Sequence, residues 1–165
     1  FVKAVDQPGV FFSDIDIDEE MLFLIAHKIY VPSYISLEMA LSYYQIIPES
    51  VYMITSISTK KTMRFKTSLG SFSYTSIKPE LFFGYTLRKV RNQFYTIATC
   101  EKAIIDYCYQ KEWPQGYDDF LSLRIDQDML KKNINIQQFN TYLERLTNKA
   151  LKKRVMQFLE YSDYA

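Results

Sequence analysis

The chain has 165 residues, of which 48% are hydrophobic and 24% charged, and its formal net charge is +1. That balance excludes a disordered chain, and it excludes the global basic excess that marks a strong nucleic-acid binder. The longest uninterrupted apolar run, Met21 to Ala26, falls far short of the roughly 20 residues a membrane span needs, so no membrane partner is expected.

Residues 1–20 read as irregular and acidic, with Asp6, Asp14, Asp16, Asp18, Glu19 and Glu20 against Lys3. Pro8-Gly9 marks a turn, and Val10-Phe11-Phe12 reads as a short strand. A first helix is predicted from Asp18 to Ile29, because three acidic residues at its start favour the positive end of the helix dipole. Val31-Pro32-Ser33 breaks it. Ser36 as N-cap and Glu38 in the first turn predict a second helix from Leu37 to Ile46, whose apolar face is Leu37, Ala40, Leu41 and Tyr44.

The middle of the chain reads as strands. Val51 to Thr59 is rich in β-branched residues, and Thr62 to Thr67 alternates, with Met63 and Phe65 on one face and Arg64 and Lys66 on the other. Ser71 to Ile77 alternates again, with Phe72 and Tyr74 on one face, and two more strands are expected at Phe82–Val90 and Phe94–Ala98. The connections have hairpin length, which predicts a mostly antiparallel sheet.

Thr99 caps a third helix in which Ile104, Tyr107 and Cys108 share a face while Lys102 and Asp106 point elsewhere. Cys100 and Cys108 on that helix lie roughly 12 Å apart, too far for a disulfide. They read as small buried hydrophobes, which fits a reducing cytoplasm. Trp113-Pro114-Gln115-Gly116 is the expected boundary between an α+β region, 1–112, and a C-terminal helical subdomain, 113–165. The latter contains Asp118-Asp119 at a helix start, an amphipathic helix marked by Ile136, Phe139, Leu143 and Leu146, and another marked by Leu151, Val155, Phe158 and Leu159. It is too small to stand alone and should pack on the first part.

Few catalytic patterns survive inspection. Asp14-x-Asp16-x-Asp18 opens like a calcium loop but has Glu19 where glycine is needed and Ile25 where glutamate is needed. Gly70-Ser71, the one Gly-Ser pair, lacks the paired aspartates of a nucleotidyltransferase. There is no phosphate-binding glycine loop and no serine-hydrolase elbow. His27 is the only histidine. No catalytic residue, cofactor or metal ligand is expected. The basic residues carry more promise. Lys60, Lys61, Arg64 and Lys66 cluster around one predicted hairpin, and Lys149, Lys152, Lys153 and Arg154 form a stripe on the last helix. Each group reads either as a solvated face or as a contact for phosphates or an acidic partner.

Three stretches add a resemblance. Pro32-Ser33-Tyr34-Ile35-Ser36-Leu37-Glu38-Met39-Ala40-Leu41-Ser42-Tyr43-Tyr44, Glu80-Leu81-Phe82-Phe83-Gly84-Tyr85 and Ile97-Ala98-Thr99-Cys100-Glu101-Lys102-Ala103-Ile104-Ile105-Asp106 occur in this order and at this spacing. Together they resemble the AbiEi-type antitoxins of bacterial abortive-infection, type IV toxin–antitoxin systems, from about Gly9 to the C-terminus. Cys100 departs from the family, which more often has proline at that first helical position; cysteine is compatible with the same helix start. The resemblance implies a non-enzymatic cytoplasmic antitoxin that counters a nucleotidyltransferase-type toxin, with direct contact left open. It also implies an N-terminal winged helix-turn-helix that binds operator DNA and makes the full-length protein an autoregulatory repressor. That element is not in this sequence, which begins at Phe1 without an initiator methionine or signal peptide, as expected of a fragment; Val10-Phe11-Phe12 resembles the last strand of the wing. The alternative expectation is a nucleic-acid-binding regulator domain acting through the basic strands and the basic helix.

Overall fold

The computed structural model describes residues 17–48, 51–112 and 117–164. The expected strand at Val10-Phe11-Phe12, the aspartates 14 and 16, and the boundary loop 113–116 lie outside the described residues. The architecture is α+β, a six-stranded mixed sheet packed with helices.

Helix α1 (Glu19–Ile29) begins where the acidic run predicts, and the Asp18 carboxylate caps it by accepting from Met21 N at 2.8 Å. Strand β1 (Ser33–Ile35) follows directly, then α2 (Leu37–Tyr43). Strands β2 (Met53–Ser58), β3 (Met63–Thr67) and β4 (Gly70–Ser76) come next. A 3₁₀ turn, Pro79–Leu81, leads into β5 (Tyr85–Val90) and β6 (Gln93–Ala98). Helix α3 (Cys100–Gln110) is capped by Thr99, and α4 (Tyr117–Leu121), α5 (Gln127–Asn133), α6 (Ile136–Arg145) and α7 (Lys149–Tyr164) complete the chain.

The strand order is β3-β4-β2-β1-β6-β5. Pairs β3–β4, β1–β2 and β5–β6 are antiparallel, whereas β2–β4 and β1–β6 are parallel. The expected hairpin around Lys60, Lys61, Arg64 and Lys66 is therefore corrected. β2 and β3 are not neighbours, because β4 inserts between them. The connection passes over the end of β4, where Ile77 N donates to Ser58 O at 2.9 Å and Ser76 N donates to Thr62 Oγ1 at 3.1 Å. The physical reason is burial. β4 carries the fully buried Phe72 and Tyr74, while β3 carries Arg64 and Lys66, so β3 takes the edge. Helix α1 covers the face formed by Phe65, Phe72 and Tyr74; the Tyr74 hydroxyl donates to Ala26 O at 2.7 Å.

The helices after residue 117 share one core with the sheet, through Phe120, Leu130, Phe139, Leu143, Leu151, Val155 and Phe158. Backbone links tie them down, with Asp126 N donating to Ile46 O at 2.8 Å. Among the described residues, no helix is long and apolar enough to cross a membrane.

Candidate functional site

The expected basic groups lie at two separate places. Lys60 and Lys61 sit in the exposed turn before β3; the Lys60 ammonium lies 5.5 Å from the Tyr30 ring centre, and the Tyr30 hydroxyl donates to Lys61 O at 2.9 Å. Arg64 and Lys66 project from β3, opposite Ser73 and Ser71, on the face away from α1. Arg88 and Lys89 are exposed on β5, so the basic strands are the two edges of the sheet. Edge strands with charged side chains resist pairing with another chain, which gives these residues a structural role apart from any partner. Lys149, Lys152 and Lys153 are exposed on α7. Arg154 leaves that stripe and turns inward, its guanidinium donating to Cys108 O at 3.5 Å.

On the outer face of β2, β4 and β3 the structure forms a cleft of about 520 Å³. Register places Thr55, Ser73 and Arg64 side by side across it, and Thr75 follows two residues along β4. The start of α2, the end of α3 and Leu123 wall it. The Glu38 carboxylate in that wall is paired with the Lys111 ammonium. Thr55 is engaged, donating to Ser36 O at 2.7 Å and accepting from Met39 N at 3.1 Å. Arg64, Ser73 and Thr75 make no side-chain hydrogen bond or ion pair among the described residues. The cleft thus offers a guanidinium and two hydroxyls above a hydrogen-bonded floor, with apolar side chains opposite. Its chemistry is that of anion binding. The one imidazole of the chain, His27, lies elsewhere, 2.9 Å from Thr96 Oγ1, so neither hydroxyl has a histidine base. Among the described residues, no group of three or more His, Cys, Asp or Glu could hold a metal ion.

The sequence reading missed the hydroxyls. Their signal was the strict alternation Ser71-x-Ser73-x-Thr75, the complement of the Phe72 and Tyr74 face.

Behind the cleft lies a fully buried ionic network. Lys102 and Asp106 do leave the face of Ile104, Tyr107 and Cys108, but the face they take is buried as well, and they form an ion pair with no exposure of either side chain. α3 runs between α2 and the sheet on one side and α6 and α7 on the other, so it has no solvent face for them. The other Asp106 oxygen accepts from the Tyr34 hydroxyl at 2.9 Å and from Ser36 Oγ at 2.7 Å. Ser36 therefore serves Asp106 and makes no side-chain cap to α2. The Phe83 ring lies over the Lys102 ammonium at 4.9 Å, with the Arg145 guanidinium 4.0 Å from the same ring. Glu101, also buried, accepts from Asn135 N at 2.6 Å and so places a carboxylate at the start of α6.

Burial raises the Asp106 pKa and outweighs the opposing pull of Lys102 and of the Ser36 and Tyr34 hydroxyls. The sign follows. The folded state holds this proton to higher pH than the unfolded chain does, so stability from this group is lost as pH rises from about 4 through the folded value. The difference in unfolding free energy between the native protein and the double variant Lys102→Met, Asp106→Asn should fall across that window. Denaturant melts at a series of pH values check it, and a difference that rises with pH would contradict it.

Burial, with a smaller contribution from Glu101, also pushes the Cys100 thiol up to about 12, so it is no nucleophile at neutral pH.

No family model matches the chain, and no curated protein matches it.

Proposed function

We propose that the chain is the antitoxin region of an AbiEi-type, type IV toxin–antitoxin protein, acting in the cytoplasm against a nucleotidyltransferase-type toxin. The observation that carries this reading is where the three resembling stretches meet. Tyr34 and Ser36 come from the first, Phe83 and Gly84 from the second, Lys102 and Asp106 from the third, and all surround one buried ion pair. Residues that are distant in sequence and share one network support the resemblance as that of a single domain type. The full-length protein, on this reading, also binds operator DNA through a domain that precedes these residues.

The test is growth rescue. Expression of this chain beside the toxin encoded next to its gene should restore growth. Failure of the folded chain to rescue, with rescue by the intact antitoxin, would place antitoxicity outside these residues.

The exposed cluster at β3 favours a second reading, a nucleic-acid contact. Substituting Lys60, Lys61, Arg64 and Lys66 by glutamine leaves the core untouched, since all four are exposed. If they meet phosphates, fluorescence anisotropy should report binding at low salt that falls steeply as salt is added and weakens in the fourfold variant. No binding to duplex DNA or RNA at low salt would leave them as edge protection.

A further inference from the structure

We propose that the cleft on the outer sheet face binds a mononucleotide, its phosphate held by Arg64, Ser73 and Thr75 and its base laid against Leu37, Ile47 and Leu123. This goes beyond the antitoxin reading and does not depend on it.

Three observations converge. The first is the anion corner. Arg64 and Ser73 are direct register partners, so their Cβ atoms are about 5 Å apart, and Thr75 lies about 7 Å along the same face. A guanidinium presents paired N–H groups that match phosphate oxygens, and each hydroxyl can donate one more bond. No carboxylate among the described residues neutralises Arg64. The neighbouring cation, Lys111, is committed to Glu38, so the free positive charge is confined to one end of the cleft.

The second is size and wall. A volume of about 520 Å³ falls in the range of small-ligand sites, roughly 300–1,000 Å³. Its apolar wall is supplied by side chains from α2, the segment after it and the segment after α4.

The third is Tyr52 at the rim, which is 93% exposed. Burial takes Tyr34, Tyr74 and Tyr95 fully into the core. Tyr52 instead leaves a flat π face in water at the rim of the cleft, where a base can stack. A ligand with a phosphate at one end and a planar body at the other satisfies all three features. A nucleic-acid strand fits less well, because Arg64 is the one uncommitted cation among the described lining residues, which suits a single phosphate rather than the successive phosphates of a strand.

Calorimetric titration of the protein with AMP, GMP, CMP and UMP at low salt tests this, with adenosine and inorganic phosphate as separate arms. At least one mononucleotide should bind, and more tightly than either half alone. Arg64→Gln should weaken it about tenfold or more, and Tyr52→Ala about fivefold or more. Both residues are exposed, and circular dichroism verifies that the variants keep their fold. Absence of binding by any mononucleotide overturns the proposal, as does affinity unchanged by Arg64→Gln. Inorganic phosphate binding as tightly as the nucleotides reduces the cleft to an anion site and overturns it too. A single-stranded oligonucleotide that outcompetes every mononucleotide at equal nucleotide concentration overturns it in favour of a strand-binding surface.

Discussion

Lys102→Met should destabilise the protein by about 3–5 kcal/mol, the range seen when one partner of a buried ion pair is removed. Methionine fills much of the same volume, so the loss is electrostatic rather than a cavity. Asp106 would keep its hydrogen bonds from Tyr34 and Ser36 but lose the cation that offsets its burial. A domain of this size has about 5–15 kcal/mol in total, so the variant should sit near the limit of folding. Urea unfolding at neutral pH measures it. The double variant Lys102→Met, Asp106→Asn should be less destabilised than the sum of the singles, because the unpaired charge is gone. A single variant that loses under about 1 kcal/mol would mean that the lysine reaches water in solution and that the ion pair is not fully buried.

That network also marks how far the fold is legible in sequence. α1 could be read from the acidic run Asp18-Glu19-Glu20 and α3 from its cap Thr99, because helix-dipole and capping effects act locally and need no tertiary partner. The amphipathic faces of α6 and α7 were readable for the same reason. β1 was not, since three residues are too few to show a period, although it lies in the middle of the sheet. The β2–β3 connection misled because a short link usually joins adjacent antiparallel strands, and only the relative burial of Phe72 and Arg64 reveals that β4 intervenes. The burial of Lys102 and Asp106 is not legible, because charged residues are seldom fully buried. Their spacing, i and i+4 on one helix, was the available hint that they compensate each other. In the cleft, Arg64 and the alternating hydroxyls are visible in the sequence; that Glu38 and Lys111 close its wall depends on how α2 meets α3.

Gly84→Ala should cost about 2–4 kcal/mol, for two separable reasons. Gly84 has φ of +75°, a left-handed conformation that an L side chain adopts only under strain. A Cβ there would also stand 3.0 Å from Lys102 Cβ and Cγ and 3.0 Å from Tyr142 Cε2. Neither neighbour can yield freely. The Lys102 stem is held by its bond to Asp106, and the Tyr142 ring packs on Phe83 at 5.2 Å and accepts from Gln138 at its hydroxyl. The backbone cannot retreat without loosening Thr99 N, which donates to Gly84 O at 2.9 Å and begins α3. Gly70→Ala separates the two contributions, because Gly70 has φ of +153° with nothing within 4 Å of the added carbon. It should show backbone strain alone. At about 2–4 °C per kcal/mol for a chain of this length, Gly84→Ala should lower the melting temperature by roughly 4–16 °C. Adding Tyr142→Leu should recover part of the crowding and none of the strain. Equal losses at Gly84 and Gly70 would show that the close approach of the β5 entrance to α3 and α6 is not tight in solution. The docking of α6 onto the sheet would then have to rest on Glu101 and the apolar core alone.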